Sequence, residues 1–127
     1  MLDLIIRNAN LPDGRTGVDI AVQNGTIVDV VPHLDAQAKR EIDATGCLAT
    51  PPFVDSHFHM DSTLTYGQPR VNESGTLLEG IELWGELKPH LSVESIKARA
   101  MALCHWAVAR GTLAIRSHVD VSDDKLM

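Results

Sequence analysis

His57 and His59 stand two residues apart in Phe53-Val54-Asp55-Ser56-His57-Phe58-His59-Met60-Asp61. Side chains two apart on a strand share one face, so both imidazoles can approach one ion from Cα atoms roughly 6–7 Å apart. Imidazole nitrogen suits zinc and iron. A catalytic ion of that kind keeps an open position, lowers the pKa of bound water from near 16 to about 7, and makes a nucleophile available at neutral pH. Metal-assisted hydrolysis is the chemistry this spacing points to. A bare His-x-His is also found in ordinary surface or core strands, so the spacing alone leaves both readings open.

Other residues carry weaker signals. Asp61 and Asp120 can hold a histidine or a loop by hydrogen bonds, and each serves equally well as a loop or strand-end cap. His118 shares a strand face with Arg116 and is either a neighbour of an active site or a structural residue. Trp84 lies three residues after Ile81, a helical spacing that predicts core packing, and Gln68 offers a polar group in a loop. His33, His90 and His105 show no partner in the sequence. Cys47 and Cys104 are far apart, which predicts reduced, buried small side chains rather than a disulfide.

The elements that must position these residues are legible in the pattern. Leu2–Asn8, Val18–Gln23 and Thr26–Val31 read as strands. Asn24-Gly25 between the last two is a two-residue hairpin signal, since both central residues of a type I′ turn need positive φ. A further short strand is expected at Cys47–Thr50. Pro51-Pro52 then interrupts the chain, because neither ring donates to a sheet ladder. This places a boundary between a small β-domain at 1–50 and a second region at 51–127.

Beyond the prolines, Phe53–His57 reads as a strand and 61–74 as a polar loop. Leu77, Leu78, Ile81, Trp84 and Leu87 recur at helical spacing until Pro89. Ser92 is a suitable N-cap for a helix whose apolar stripe is Ile96, Ala100, Leu103, Ala107 and Val108 and whose stop is Gly111. A strand over Thr112–Val119 completes a strand, helix, parallel strand unit. Ser122-Asp123-Asp124 resembles a helix start with only three residues after it, which predicts a truncated polypeptide.

The 127 residues carry 11 Lys plus Arg against 17 Asp plus Glu, a net charge of −6 with no basic cluster. Non-specific nucleic-acid binding, which depends on clustered cations, is therefore not expected. The N-terminus lacks a secretory pattern, and no apolar run approaches the ~20 residues that span a bilayer. A cytoplasmic protein without membrane partners is expected.

Taken with these residues, the sequence resembles the amidohydrolase superfamily. The likeness rests on Leu4-Ile5-Ile6-Arg7-Asn8-Ala9, Asn24-Gly25-Thr26-Ile27, Ile42-Asp43-Ala44-Thr45-Gly46 and the segment from Pro51 to Asp61. Within the superfamily it is most similar to cytosine deaminases, through Thr65-Tyr66-Gly67-Gln68-Pro69, the stretch from Ser74 to Trp84, and the stretch from Arg116 to Asp123. Hydrolases of N-isopropylammelide share His-x-His-Met-Asp and His-Val-Asp-Val but are less similar from Gly75 to Trp84.

The resemblance implies an α/β chain forming the N-terminal part of a metal-dependent (β/α)₈ TIM barrel plus a small flanking β-sandwich. A full barrel takes about 250 residues, so only its first strand or two would lie here. It implies His57 and His59 as ligands of one divalent ion, Fe²⁺ or Zn²⁺, and Leu77 as a backbone contact to a nucleobase-like substrate. The remaining ligands and the proton-shuttling groups are expected beyond residue 127, so no catalytic residue is assigned and the fragment alone should be inactive. The implied reaction converts cytosine to uracil and ammonia in a complete enzyme that forms a homo-oligomer. N-isopropylammelide, isoguanine and creatinine are the alternative substrates, and a non-catalytic piece that assembles with a complementary chain is the alternative role. Without a Cys-x-x-Cys, the His/Cys/Cys class of zinc deaminases is excluded.

Overall fold

The computed structural model describes residues 1–122, whose contacts divide into one compact unit, Met1–Pro51, and a second beginning at Pro52. In the first, β1 (Leu2–Ala9), β2 (Val18–Gln23), β3 (Thr26–Val31) and β4 (Ala38–Asp43) form a sheet in the order β3-β2-β1-β4. β1 runs antiparallel to β2 and parallel to β4. The β2–β3 connection is the expected tight hairpin, with Asn24 at φ 53° and Gly25 at φ 73°. Ala9, Val18, Ile20 and Ala44 form a buried cluster, and Ile5 on β1 is fully buried.

Asp19 is buried as well, and its charge is matched. Arg7 Nη1 donates to its carboxylate at 2.8 Å, and the backbone amides of Asn8 and Leu34 donate at 3.2 and 3.0 Å. Burial alone would raise the Asp19 pKa, but Arg7 and the two amides outweigh it and hold the carboxyl below its ordinary value. His33, partnerless in the sequence, has Nδ1 4.0 Å from this carboxylate.

Two features of this unit differ from expectation. β4 was not legible, because Lys39, Arg40, Glu41 and Asp43 give it no apolar alternation. It is an edge strand with polar, exposed side chains, recruited by backbone pairing and by Lys39–Asp3 and Arg7–Glu41 contacts of 2.7 and 3.1 Å. The strand expected at Cys47–Thr50 is a single bridge between Leu48 and Asn10, flanked by two backbone hydrogen bonds. Cys47 is exposed and Cys104 half-buried, so neither is the buried side chain the sequence suggested.

The second unit contains β5 (Phe53–His59), α1 (Leu77–Leu87), a 3₁₀ turn (Lys88–His90), α2 (Val93–Ala109) and β6 (Thr112–His118). β5 and β6 are parallel neighbours, with both helices in the connection between them. Thr76 caps α1 by accepting from Glu79 N, and Pro89 enters the 3₁₀ turn where a missing N–H costs nothing. Ser92 and Ser95 form a capping box on α2, and Gly111 at φ 87° turns the chain into β6. Of the stripe expected on α2, Ile96, Ala100, Leu103 and Ala107 are half-buried, while Val108 is 60% exposed. β6 stops at His118, one residue short of the expected end. Asp123 and Asp124 of the suspected helix start lie outside the described residues. No helix among the described residues is long and apolar enough to cross a membrane.

Candidate metal centre and adjoining cavity

The C-terminal ends of β5 and β6 carry the histidines. Asp55 pairs with Ile115 and Phe58 with Ser117, so β5 spends one more residue than its partner between these points. Such a bulge bends a strand and re-aims a side chain. Asp55 Oδ1 accepts from His57 N at 3.1 Å within it. The His57 and His59 rings end with centroids 5.4 Å apart on the same side of the strand end.

His118 stands opposite His59 in register and brings a third imidazole to the cluster, 4.2 Å from the His57 ring and 5.8 Å from that of His59. Among the described residues no group of three or more His, Cys, Asp or Glu is arranged to hold an ion together. The donor chemistry of His57 and His59 nevertheless suits zinc or iron, and the pair fits as one part of a coordination sphere.

Asp61 and Asp120 are joined. Asp61 is 4% exposed; its Oδ1 lies 3.9 Å from His59 Nδ1 and accepts from Ser62 N, while Oδ2 accepts from Asp120 N at 2.8 Å. From α2, Arg99 donates to the Asp61 and Thr63 carbonyls at 2.9 Å each. The Asp120 carboxylate accepts from Trp84 Nε1 at 2.9 Å, Lys88 Nζ at 2.7 Å and Ser122 N at 2.9 Å. Lys88 first, then Ser122, with Trp84 adding less, hold this carboxyl well below the ordinary range.

A cavity of about 530 Å³ opens beside the strand ends, lined by His59, Asp61, Gln68, Leu77, Trp84 and Asp120 among others. Leu77 begins α1 and is 81% exposed. The loop between β5 and α1 is pinned to the helix by Arg70, which reaches Glu79 at 2.7 Å and Glu86 at 3.0 Å. Ser74 N also donates to Glu79, at 2.7 Å.

The structure therefore places His57, His59, Asp61, His118 and Asp120 together at the strand ends and Leu77 among the residues that line the adjoining cavity. Trp84 departs from its expected core role: it is half-buried, lines the cavity and spends its N–H on Asp120. Lys88, Arg70 and Arg99 were missed. The usable signals were the four-residue spacing of Trp84 and Lys88 and the seven-residue spacing of Glu79 and Glu86, each of which stacks two side chains on one helix face.

The Amidohydrolase family pattern matches residues 40–127 of the sequence. The chain belongs to the amidohydrolase family. Among related structures, 5-methylcytosine deaminase from Klebsiella pneumoniae liganded with phosphonocytosine superposes with a TM-score of 0.83 at 38% identity, over 96% of this chain and 30% of that one. N-isopropylammelide isopropylaminohydrolase from Burkholderia multivorans gives 0.67 at 28% identity, over 95% of this chain and 30% of that one. N-isopropylammelide isopropyl amidohydrolase of Pseudomonas sp. (strain ADP) is 33% identical over 94% of this chain and 30% of its own length. The chain thus spans about 30% of the length of each of these three and corresponds to the N-terminal part of the TIM-barrel amidohydrolases. Amidohydrolases act on C–N bonds and are generally metal-dependent.

Proposed function

We propose that this chain supplies the first metal ligands and one wall of the substrate cavity to a hydrolytic deaminase of cyclic amidines, with cytosine as the preferred substrate. The observation that carries the reading is the His57–His59 pair at a strand end that opens on the cavity. Identity to a 5-methylcytosine deaminase across nearly the whole chain supports the choice of ring.

In this reading His57 and His59 hold one divalent ion, zinc or iron. When bound, the ion makes water a competent nucleophile at neutral pH. The Asp61 carboxylate borders His59 and biases its ring orientation. Leu77, which lines the cavity, offers its backbone to a flat ring in this reading. The net reaction exchanges the exocyclic amino group for oxygen: the ring carbon gains a C–O bond from water, the C–N bond breaks, one water proton leaves on the amino nitrogen as ammonia, and the other stays on the adjacent ring nitrogen. The groups that move those protons are assigned to parts of the protein outside this chain. Residues 1–50 are the small β-domain and 51–127 the first barrel elements in the same proposal.

A second reading, hydrolysis of an N-alkylamino triazine, is favoured by the 33% identical relative. Ammonia or amine release by the whole protein from cytosine, N-isopropylammelide, isoguanine and creatinine separates them. Cytosine should give the highest kcat/KM; faster turnover of any other would displace it, and no turnover of any would remove the hydrolase reading.

A further inference from the structure

Little apolar burial holds the N-terminal half of α1. Leu77, Leu78 and Ile81 are 81%, 67% and 59% exposed, and its buried side chains, Leu83 and Leu87, come late in the helix. Yet this helix carries one wall of the cavity beside His59. Part of what relates it to the strand ends is polar, and it converges on Asp120, two residues past the end of β6. Trp84 Nε1 and Lys88 Nζ, one helical turn apart, donate to the same oxygen, Oδ2. The backbone N–H of Asp120 is in turn held by Asp61 Oδ2, and the other Asp61 oxygen borders His59.

We infer that Asp120 is a positioning residue that sets the separation between the Trp84 wall of the cavity and His59, and so governs how tightly a flat, uncharged heterocycle is held without itself contributing to metal retention. This rests on the proposed function, since it deepens the same site. The physical argument is one of leverage. A carboxylate that accepts one side-chain hydrogen bond from the last turn of α1 and a second, charged one from its C-cap fixes that helix end more narrowly than the exposed aliphatic residues around it can. Losing it leaves the indole N–H of Trp84 without its acceptor and Lys88 without its 2.7 Å contact to this carboxylate, while the Asp61 carboxylate keeps its own backbone donors.

The test uses the whole protein loaded with zinc, comparing wild type with Asp120→Ala and with Asp120→Asn, which keeps an acceptor for Trp84. Asp120→Ala should raise KM for cytosine at least about tenfold, with kcat within about threefold and zinc content equal to wild type. Asp120→Asn should recover part of the loss and serves where the alanine variant fails to fold. Exchange of the Trp84 indole hydrogen, followed by ¹⁵N NMR, should quicken about tenfold in Asp120→Ala. Zinc lost in proportion to activity, or kcat falling with KM unchanged, would overturn the positioning role, and an unchanged Trp84 exchange rate would overturn the tether. A wild type that neither binds nor turns over cytosine removes cytosine as the substrate and the ligand half of this inference, while the exchange measurement still decides the tether.

Discussion

In the β1–β4 unit the side chains of Ile5, Ala9, Val18 and Ala21 are buried, at 0%, 0%, 3% and 1% exposed, whereas Phe53, Val54, Trp106 and Leu113 in the second unit are 60%, 68%, 60% and 62% exposed. The first unit closes a core with its own residues and matches its buried charge internally. The second is a parallel strand pair, an arrangement found almost only in sheets covered on both faces. Every candidate site residue lies in this second, open unit. The contrast separates two sources of order: apolar burial fixes the small sheet, and polar ties through Asp61, Arg99, Asp120 and Arg70 hold the site.

The largest effects should fall on the strand-end histidines. His57→Ala or His59→Ala should each lower metal affinity and deamination by the whole protein at least about 100-fold, since losing even an outer partner of a metal ligand costs 10–100-fold. Both rings are on exposed residues, so the thermal unfolding of the β1–β4 unit should not move. Metal content by plasma mass spectrometry and melting by circular dichroism check the two halves. Retained metal in both variants would detach the cavity from metal chemistry.

The next effects test burial itself. Ile5→Ala removes a fully buried side chain and should cost about 3 kcal/mol of stability in denaturant unfolding. Leu113→Gln, at a position 62% exposed, should change the stability of the 127-residue chain by less than about 0.5 kcal/mol. In the whole protein the same Leu113→Gln should cost more than about 1 kcal/mol if further barrel elements cover that face. Equal costs for Leu113→Gln in both settings would mean the face stays in water.

How much of this was readable beforehand follows the same division. The hairpin, both helices and the β5–β6 unit were legible because Asn24-Gly25, Pro89, Ser92 and Gly111 each impose a local backbone requirement. β4 was not, since its order comes from a neighbour's backbone and from ion pairs distant in sequence. At the site, His57 and His59 announce themselves by spacing. The role of Trp84 was misread because periodicity reports which helix face points inward and cannot say that a carboxylate 36 residues later waits there. Cys47 and Cys104 erred similarly: residue-type preference carries no information about which face of an open unit or which turn a side chain occupies.

The smallest effect distinguishes the two kinds of order by acid. In the closed unit, Asp19 keeps its charge despite burial through Arg7 and two backbone amides. In the open unit, Glu79 is half-buried on α1 and its carboxyl is lowered from 4.5 to about 2, first by the Ser74 hydroxyl and amide and then by Arg70. A carboxyl whose folded-state pKa is depressed contributes stability that is fully present above its unfolded value and is lost as pH falls through the folded one. The tie between loop and α1 should therefore persist from pH 7 down to about 4.5 and fail on approach to pH 2. The side-chain ¹³C shift of Glu79 and the amide shift of Ser74 should titrate together near the lower value. Because Ser74 outranks Arg70, Ser74→Ala should raise the Glu79 midpoint more than Arg70→Met does. The reverse order would make the loop's attachment a matter of charge pairing, which salt would loosen, rather than of short hydrogen bonds, which it would leave in place.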